Sequence, residues 1–389
     1  MWGDLPPGRD ALSLALLQTT GVPLRAGNRV ELIRNGEVFD VVEEEILAAA
    51  SSVHIVMYIW QPGAPSDRVL RALGNRRAGV TCRVLVDPLQ SQRFDEVSQR
   101  LSALGCEWRV TRPIEGAIGE LDARRMVARN HRKIVIRDGR VGLTGGFGIW
   151  RSWLGDGRTP EGWRDTSVRV WGPAVREMQL AFAQNWQEAG GPLLPASALP
   201  DPEPHGQAGA AFIASSPGIV VSDAERMTAL SIHAARERLW ITNAYFIPST
   251  AQVEMLVAKA RAGVDVRVLV PGRFMDMAPV LAAQRSTYSR LLEAGVRIWE
   301  YEVSMLHAKT MVIDRHLSVV GSTNLDPVSM RSADEGSLMV DDATLADALA
   351  RDFLEDLGYS REIMREGWEQ RGLFDRLGDH WPAIIGPFL

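Results

Sequence analysis

The sequence carries HRKIVIRD at residues 131–138 and HAKTMVID at residues 307–314. The two stretches are offset by 307 − 131 = 176 residues, and the same offset relates Gly145 to Gly321, the first glycines that follow them. Although 43 residues are Lys or Arg, only three are lysines, and two of those stand at the third position of these octets. The chain therefore contains an internal duplication centred on this pattern.

The residue types in the repeat suit chemistry at phosphorus. The short β-branched run after each lysine predicts a buried strand, and residues i and i+2 of a strand project from the same face. His131 with Lys133, and His307 with Lys309, should therefore enter one site. A neutral imidazole can attack phosphorus, and an ammonium group can stabilise a phosphoryl oxygen. Residues that would let the backbone approach a phosphate, or would donate to it, are Gly146, Gly148, Ser322 and Asn324.

The two copies resemble the twin HKD motifs of the phospholipase D superfamily, and the chain resembles its bacterial cardiolipin synthase-like branch without amino-terminal membrane spans. Further blocks of similarity are GWRDT at 162–166, GPAV at 172–175, YFIP at 245–248 and NLD at 324–326. The resemblance extends from about Gly27 to Tyr359. It implies an α/β fold of two tandem pseudo-symmetric phospholipase D-like α/β/α sandwich domains with mixed sheets, with the active site at the interface between them.

The pattern of elements independently favours a duplicated three-layer α/β domain, because strands and helices alternate in the same order in both halves. The offset between the halves changes from 263 − 79 = 184 to 295 − 105 = 190 before it becomes 176 at the repeat. Six extra residues therefore fall between Val270 and Leu291, and fourteen fall between Gly105 and His131. The first-half insertion, Arg112 to Arg129, is a candidate substrate loop.

These observations divide the chain into five parts. They are an N-terminal arm (1–26), a first phospholipase D-like domain (27–190), a Pro-rich linker (191–212), a second phospholipase D-like domain (213–360) and a C-terminal helix with an apolar tail (361–389). We interpret the tail as a strap packed on the second domain, in preference to an interfacial membrane anchor.

Composition limits the partners. Apolar residues make up 46% of 389, enough for complete cores, and a net charge of −5 argues against a general polyanion binder. Basic residues nevertheless crowd the first motif, namely Arg124, Arg125, Arg129, Arg132, Lys133, Arg137 and Arg140. They form either a positive field for a phosphate or an anionic bilayer, or merely a solvated face.

Cys82 and Cys106 both lie beside apolar residues and are assigned to the core, because two cysteines make neither a disulfide framework nor a zinc pattern. Residues 1–24 lack the charged start and the continuous apolar run of a signal peptide, and no stretch of roughly 18 apolar residues predicts a membrane span. We expect a cytoplasmic protein, peripheral on the inner face of the cell membrane.

The resemblance implies a two-step mechanism through a phosphohistidine. We take His131 as the nucleophile and His307 as the acid and base, although the symmetry of the sequence leaves the two roles exchangeable. Lys133 and Lys309 should stabilise the phosphoryl oxygens. The motif aspartates, Asp138 and Asp314, are interpreted as turn residues that fix the backbone. No metal or other cofactor is required.

Each histidine also needs its second ring nitrogen held, and in the family an acidic residue further along the chain does this. Asp165 stands 165 − 131 = 34 residues after His131, and Glu335 stands 335 − 307 = 28 residues after His307. Aromatic residues that would line a lipid site are Trp150, Trp153, Tyr245 and Phe246. Trp171 and His54 are assigned to the core.

Three functions compete for this pattern. The first is phosphatidyl transfer of the cardiolipin synthase type, with a phosphatidylglycerol-type donor and an alcohol acceptor; the second is hydrolysis to phosphatidic acid; a nuclease ranks last. Gly148, where the family commonly has Asn, together with Val328 and Ala333, leaves head-group specificity open. The expected partners are a phospholipid and a membrane surface and not nucleic acid, and a monomer would hold a complete site.

Overall fold

The alternation of β-branched runs with amphipathic segments builds a duplicated α/β structure. The computed structural model describes residues 8–112, 128–218 and 221–371. The strands are β1 (Arg25–Arg34), β2 (Ser52–Met57), β3 (Thr81–Val86), β4 (Glu107–Val110), β5 (Ile134–Arg137), β6 (Val141–Gly145), β7 (Thr166–Trp171), β8 (Ala208–Ser215), β9 (Arg238–Thr242), β10 (Asp265–Pro271), β11 (Arg297–Tyr301), β12 (Thr310–Ile313), β13 (Leu317–Gly321), β14 (Glu335–Asp341) and β15 (Ser360–Ile363). The helices are α1 (Arg9–Thr20), α2 (Val38–Ala48), α3 (Ala64–Gly74), α4 (Phe94–Ala103), α5 (Val175–Glu188), α6 (Asp223–Ala234), α7 (Thr250–Arg261), α8 (Ala278–Ser286), α9 (Tyr288–Glu293), α10 (Pro327–Arg331), α11 (Ala343–Leu357) and α12 (Arg365–Glu369).

The sheet order shows the duplication directly. Hydrogen bonds connect the strands in the order β15-β11-β10-β9-β12-β13-β14-β8-β1-β7-β6-β5-β2-β3-β4. From the β1–β8 contact outward, both halves run in the same order, with three parallel strands at the outer end and antiparallel pairs elsewhere. β15 is an additional antiparallel strand on the edge of the second half. The predicted duplicated α/β fold with mixed sheets is confirmed.

The two motif strands, β5 and β12, lie in the middle of their halves. Ile134 and Ile136 of β5 enter a core that both halves share, while Val135 faces the core of the first half. A strand buried on both faces needs an apolar residue at every position, which accounts for the continuous run after each lysine. The shared core lies between the halves, where α5 and α11 contribute buried side chains.

The predicted arm is a docked helix. Leu12 and Leu16 of α1 are buried in the core of the second half, where α1 packs along α6. β1 also begins at Arg25, inside the range assigned to the arm. The interpretation as an arm was wrong because a three-turn helix with two inward leucines buries enough apolar surface to dock.

Two other predicted boundaries change. β8 begins at Ala208, inside the predicted linker, because its small residues fit between β14 and β1. Residues 360–363 continue as strand β15 and not as a helix, and α12 is the only part of the predicted C-terminal helix that forms within the described residues. Residues 372–389, with the apolar strap, and residues 113–127, with most of the candidate substrate loop, lie outside the described residues.

The two cysteines are buried as predicted, but they are bonded to each other. β3 and β4 are parallel neighbours, and this brings the Cα atoms of Cys82 and Cys106 to 4.7 Å across 24 residues of sequence. The prediction of two separate core thiols was therefore wrong. His54 is a core residue as predicted; its ring stacks on Phe182, and its Nδ1 contacts the Gln179 amide.

The docking of α1 predicts a stability difference between two leucines of one helix. Leu16→Ala should lower the free energy of unfolding by about 2–5 kcal/mol, because Leu16 is fully buried in the second-half core. Leu14→Ala is the matched control; Leu14 is 54% exposed, so the change should stay within about 0.5 kcal/mol. Urea unfolding of the whole chain measures both values. Equal costs for the two variants would show that α1 is not docked.

Candidate active site

The two motifs meet because each half contributes backbone to the motif of the other. The amide of His131 donates to the carbonyl of Asp334 at 2.9 Å, and the amide of His307 donates to the carbonyl of Arg164 at 2.7 Å. Each contact is part of a short parallel β-bridge between the halves. The segments that carry the histidines are therefore fixed across the pseudo-twofold axis.

The imidazoles are held by carboxylates from the opposite half. Nδ1 of His131 contacts Oε1 of Glu335 at 2.9 Å, and Nδ1 of His307 contacts Oδ2 of Asp165 at 3.0 Å. Both predicted carboxylates thus lie against motif histidines, but not against those that precede them in sequence. The pairing crosses because the β-bridges place residue 335 beside His131 and residue 165 beside His307.

Each carboxylate has a different second donor. The hydroxyl of Ser322 donates to Glu335, whereas the indole Nε1 of Trp153 donates to Oδ2 of Asp165 at 2.6 Å. The Thr166 amide also donates to Asp165, at 2.7 Å. Both carboxylates are almost completely buried, so these contacts replace the water that they lose on folding.

Burial sets the charge of the site. It lowers the pKa of His131 to about 4 against the opposing effect of Glu335. Burial and the charge of Lys309 lower the pKa of His307 to about 3 against the effect of Asp165. Burial alone would raise the pKa values of the two carboxylates, but their contacts with the histidines lower them. Each pair is therefore a neutral imidazole with its Nδ1–H donated to a carboxylate, which leaves Nε2 as the nucleophilic nitrogen.

The two motif lysines are buried beside the histidines. Nζ of Lys133 donates to the carbonyl of His131 at 2.6 Å, and Nζ of Lys309 donates to the carbonyl of His307 at 2.5 Å. Nζ of Lys309 also lies 2.9 Å from the ring nitrogens of His307. Burial lowers the pKa of Lys309 to about 8 and that of Lys133 well below its usual value. A bound phosphate would stabilise the charged form of both lysines and raise their pKa values, since an anion stabilises an ammonium.

The predicted phosphate-binding residues occupy unequal positions. A Cβ at Gly146 would lie 2.4 Å from a carboxylate oxygen of Asp165, and one at Gly148 would lie 2.8 Å from the Trp153 ring. Both glycines therefore make room for the group that holds His307. Asn324 is buried, and its Oδ1 has no hydrogen-bond partner among the described residues.

The motif aspartates lie at the far ends of β5 and β12. Asp138 accepts from the amides of residues 50, 51 and 52, and Asp314 accepts from the amides of residues 236, 237 and 238. Both have positive φ, 56° and 51°, as a tight turn requires. Each thus fixes the end of its motif strand against the start of the neighbouring strand, β2 or β9.

The aromatic predictions divide by burial. Trp153 and Phe246 are fully buried, so neither lines an open surface, while Trp150 and Tyr245 are partly exposed. Trp171 is also partly exposed, with the guanidinium groups of Arg29 and Arg169 stacked on its ring, so its assignment to the core was wrong.

Two aromatic contacts at the histidines were not predicted. The ring of Tyr58 meets His131 edge-on at 4.8 Å, and the ring of Trp163 lies 5.1 Å from His307. Tyr58 directly follows β2, at the end nearest the site. That position was the available signal, because side chains that follow parallel strands collect at one edge of the sheet.

The basic cluster is mostly neutralised within the described residues. Arg129, Arg137 and Arg140 form ion pairs with Asp87, Glu45 and Glu203. Arg132 is buried and donates to the carbonyls of Glu335 and Ser215 and to the Asn185 side chain. Arg132 therefore anchors the Glu335 segment, a role that the sequence did not indicate. Arg124 and Arg125 lie outside the described residues.

The fold and the crossed histidine–carboxylate pairs define an enzyme of the twin-motif phospholipase D class. Comparison with known proteins identifies the family within that class. A family model described as a cardiolipin synthase, PLD-like domain, matches residues 230–357. A cardiolipin synthase of Geobacillus kaustophilus is 32% identical over 373 residues, which are 94% of this chain and 74% of that protein. A cardiolipin synthase A of Yersinia pseudotuberculosis is 31% identical over 377 residues, 93% of this chain and 76% of that protein.

Among solved structures, a phosphatidylserine synthase of Haemophilus influenzae superposes with a TM-score of 0.70 at 14% identity and covers 96% of this chain and 97% of that one. This likeness concerns the fold, whereas the sequence relatives identify the family. The chain belongs to the cardiolipin synthase family of the phospholipase D superfamily.

The crossed pairing predicts which histidine responds to which carboxylate. Asp165→Asn removes the negative charge at Nδ1 of His307 and should lower the pKa of His307, while the ring signals of His131 stay near their wild-type positions. Glu335→Gln should affect His131 and spare His307. Histidine ring ¹⁵N NMR measures both responses, and each variant is the control for the other. A response of the histidine in the same half as the substituted carboxylate would exclude the crossed arrangement.

Proposed function

We propose that the enzyme exchanges phosphodiester head groups through a phosphohistidine, with a phosphatidylglycerol-type donor and an alcohol acceptor, and so makes cardiolipin. The observation that carries this proposal is the meeting of two neutral, carboxylate-held imidazoles and two buried lysines at one site. The names of the sequence relatives support the lipid substrate.

In the first step Nε2 of His131 attacks phosphorus. A nitrogen–phosphorus bond forms as the bond to the head-group oxygen breaks, and His307 gives that oxygen a proton. Among the causes of the low pKa of His307 is the charge of Lys309, which a bound phosphate would offset. Substrate binding therefore makes the protonated form of His307 available when the leaving alcohol needs it.

In the second step the incoming alcohol gives its proton to His307 and attacks phosphorus. The nitrogen–phosphorus bond breaks, and His131 returns to its neutral form. Lys133 and Lys309 stabilise the charge on the phosphoryl oxygens in both transition states, and the side-chain amide of Asn324 adds a donor from the second half. Water in place of the alcohol would give phosphatidic acid from the same intermediate.

A phospholipid substrate requires the site to meet a bilayer surface. Within residues 8–112, 128–218 and 221–371, no helix is long and apolar enough to cross a membrane. We assign the enzyme to the inner face of the cell membrane as a peripheral protein. One chain supplies both motifs, so a monomer is sufficient for the reaction, and no nucleic acid takes part.

The transfer reaction is tested with phosphatidylglycerol in mixed micelles. The wild-type enzyme should form cardiolipin and free glycerol, whereas His131→Ala should lose this activity by a factor of about 10⁴ or more, because the nucleophile is gone. Lipid mass spectrometry resolves the products.

His316→Ala is the matched control for this experiment. Its imidazole is about half exposed and contacts only Asp341 among the hydrogen bonds of the described residues, so the variant should keep wild-type turnover. Phosphatidic acid as the main wild-type product would assign the enzyme as a hydrolase. No turnover of any phospholipid would reject the proposal.

The roles of the two histidines are tested with a phosphatidyl ester of p-nitrophenol, whose leaving group needs no proton. His307→Ala should still release about one equivalent of nitrophenol per enzyme in a burst, because His131 can attack without acid assistance. His131→Ala should release none.

The pH dependence of this burst follows from burial. In the wild-type enzyme the burst rate should stay constant from pH 7 to about pH 5, because burial keeps His131 neutral over this range. Stopped-flow absorbance measures the rate. A burst from His131→Ala and none from His307→Ala would exchange the two roles.

A further inference from the structure

The insertion that distinguishes the second half carries a carboxylate at the edge of the active site. It follows β10 and includes Asp276, whose side chain is exposed to solvent. The hydroxyl of Tyr245 donates to both carboxylate oxygens of Asp276, at 2.9 and 3.0 Å. Tyr245 is partly exposed, so the two side chains form a polar pair that a ligand can reach.

Both members of the pair are held by backbone contacts. Asn243 and Ile247, which flank Tyr245, each bond to Leu325; the amide of Leu325 donates to the Asn243 side chain at 3.0 Å, and its carbonyl accepts from the Ile247 amide at 2.7 Å. The loop of Asp276 is tied to β11 by a bond from the Gly272 amide to the carbonyl of Tyr301. Tyr245 and Asp276 are therefore fixed relative to the second motif.

Strand pairing places the pair at the edge of the sheet that carries the second motif. Thr242, at the end of β9 and three residues before Tyr245, pairs with Thr310, which directly follows Lys309. The charge of Asp276 opposes the lowering of the pKa of Lys309 by burial. Burial raises the pKa of Tyr245 well above its usual value, so its oxygen remains a hydroxyl that both donates and accepts. Crowding by the protein on one side raises the pKa of Asp276, although its other side is open.

The described part of the first half has no equivalent open group after β3. Its loop after β3 carries Asp87, which is buried and paired with the guanidinium of Arg129 at 3.1 Å and with the Asn130 amide at 2.9 Å. No salt bridge to Asp276 forms within the described residues. At this loop, and among the residues that the structure describes, an open carboxylate is present in the second half and not in the first, which makes the two sides of the site unequal.

We propose that Tyr245 and Asp276 form the alcohol subsite, which binds the hydroxyls of a polyol head group as it leaves and as it enters. This inference rests on the proposed transferase function. Asp276 accepts a charge-assisted hydrogen bond from one hydroxyl, and the Tyr245 oxygen accepts from a second. The hydroxyl of the polyol that reacts then lies toward Lys309, where His307 can take its proton.

The test measures the choice between two acceptors. The enzyme is incubated with the p-nitrophenyl phosphatidyl ester and with glycerol or ethanol, and the selectivity is the ratio of the two kcat/KM values. Ethanol has no second hydroxyl for the subsite. Asp276→Ala and Tyr245→Phe should each lower the glycerol-to-ethanol ratio roughly tenfold or more, since each removes a hydrogen bond made only to the polyol.

Two variants serve as matched controls. Glu302→Ala removes a carboxylate that contacts Arg273 of the same loop, and Tyr359→Phe removes a hydroxyl from a ring that stacks on Arg158. Both should keep the wild-type ratio. If Asp276→Ala and Tyr245→Phe also stay within about twofold of that ratio, the subsite is excluded while the transferase function stands. A wild-type enzyme that releases no nitrophenol would overturn the transferase function and, with it, this inference.

Discussion

The structure depends on two buried imidazole–carboxylate pairs that cross between the halves. Glu335 and Asp165 are almost inaccessible to water. Each carboxylate lies against the motif histidine of the other half, in a site that also contains the motif lysine of that half. Separation of the halves would break both hydrogen bonds, and a hydrogen bond to a charged group contributes about 1.5–3 kcal/mol to stability. The chemistry and the cohesion of the two halves therefore rest on the same contacts.

The same crossing explains why a duplicated chain gives one site and not two. Among the described residues, each half alone contains a motif histidine and lysine but no carboxylate positioned against that histidine. The neighbours of the two pairs also differ, with a hydroxyl from Ser322 on one carboxylate and an indole from Trp153 on the other. The glycines at 146 and 148 follow from this difference, because the indole and Asp165 occupy the space where their side chains would lie.

Much of the fold could be predicted from the sequence because the duplication shows the same pattern of strands and helices twice. The motif strands form where the apolar runs predicted them, at Ile134–Arg137 and Thr310–Ile313. The elements that were missed depend on distant partners. β8 has the small residues of a linker and becomes a strand only between β14 and β1, and the bond between Cys82 and Cys106 depends on the pairing of β3 with β4.

The site residues were recognisable by type, but their partnerships were not, because sequence distance does not reveal which segments form bridges between halves. A pseudo-twofold site offers the phosphodiester group of a lipid two similar orientations, yet a transferase must release one particular alcohol. The insertion with Asp276 has no counterpart in the first half, where Asp87 is closed by Arg129. In the proposed subsite, an open carboxylate on one side of the axis would give the head group a preferred side. It would then favour His307, whose Nε2 lies 2.9 Å from Nζ of Lys309, as the group that moves the alcohol proton.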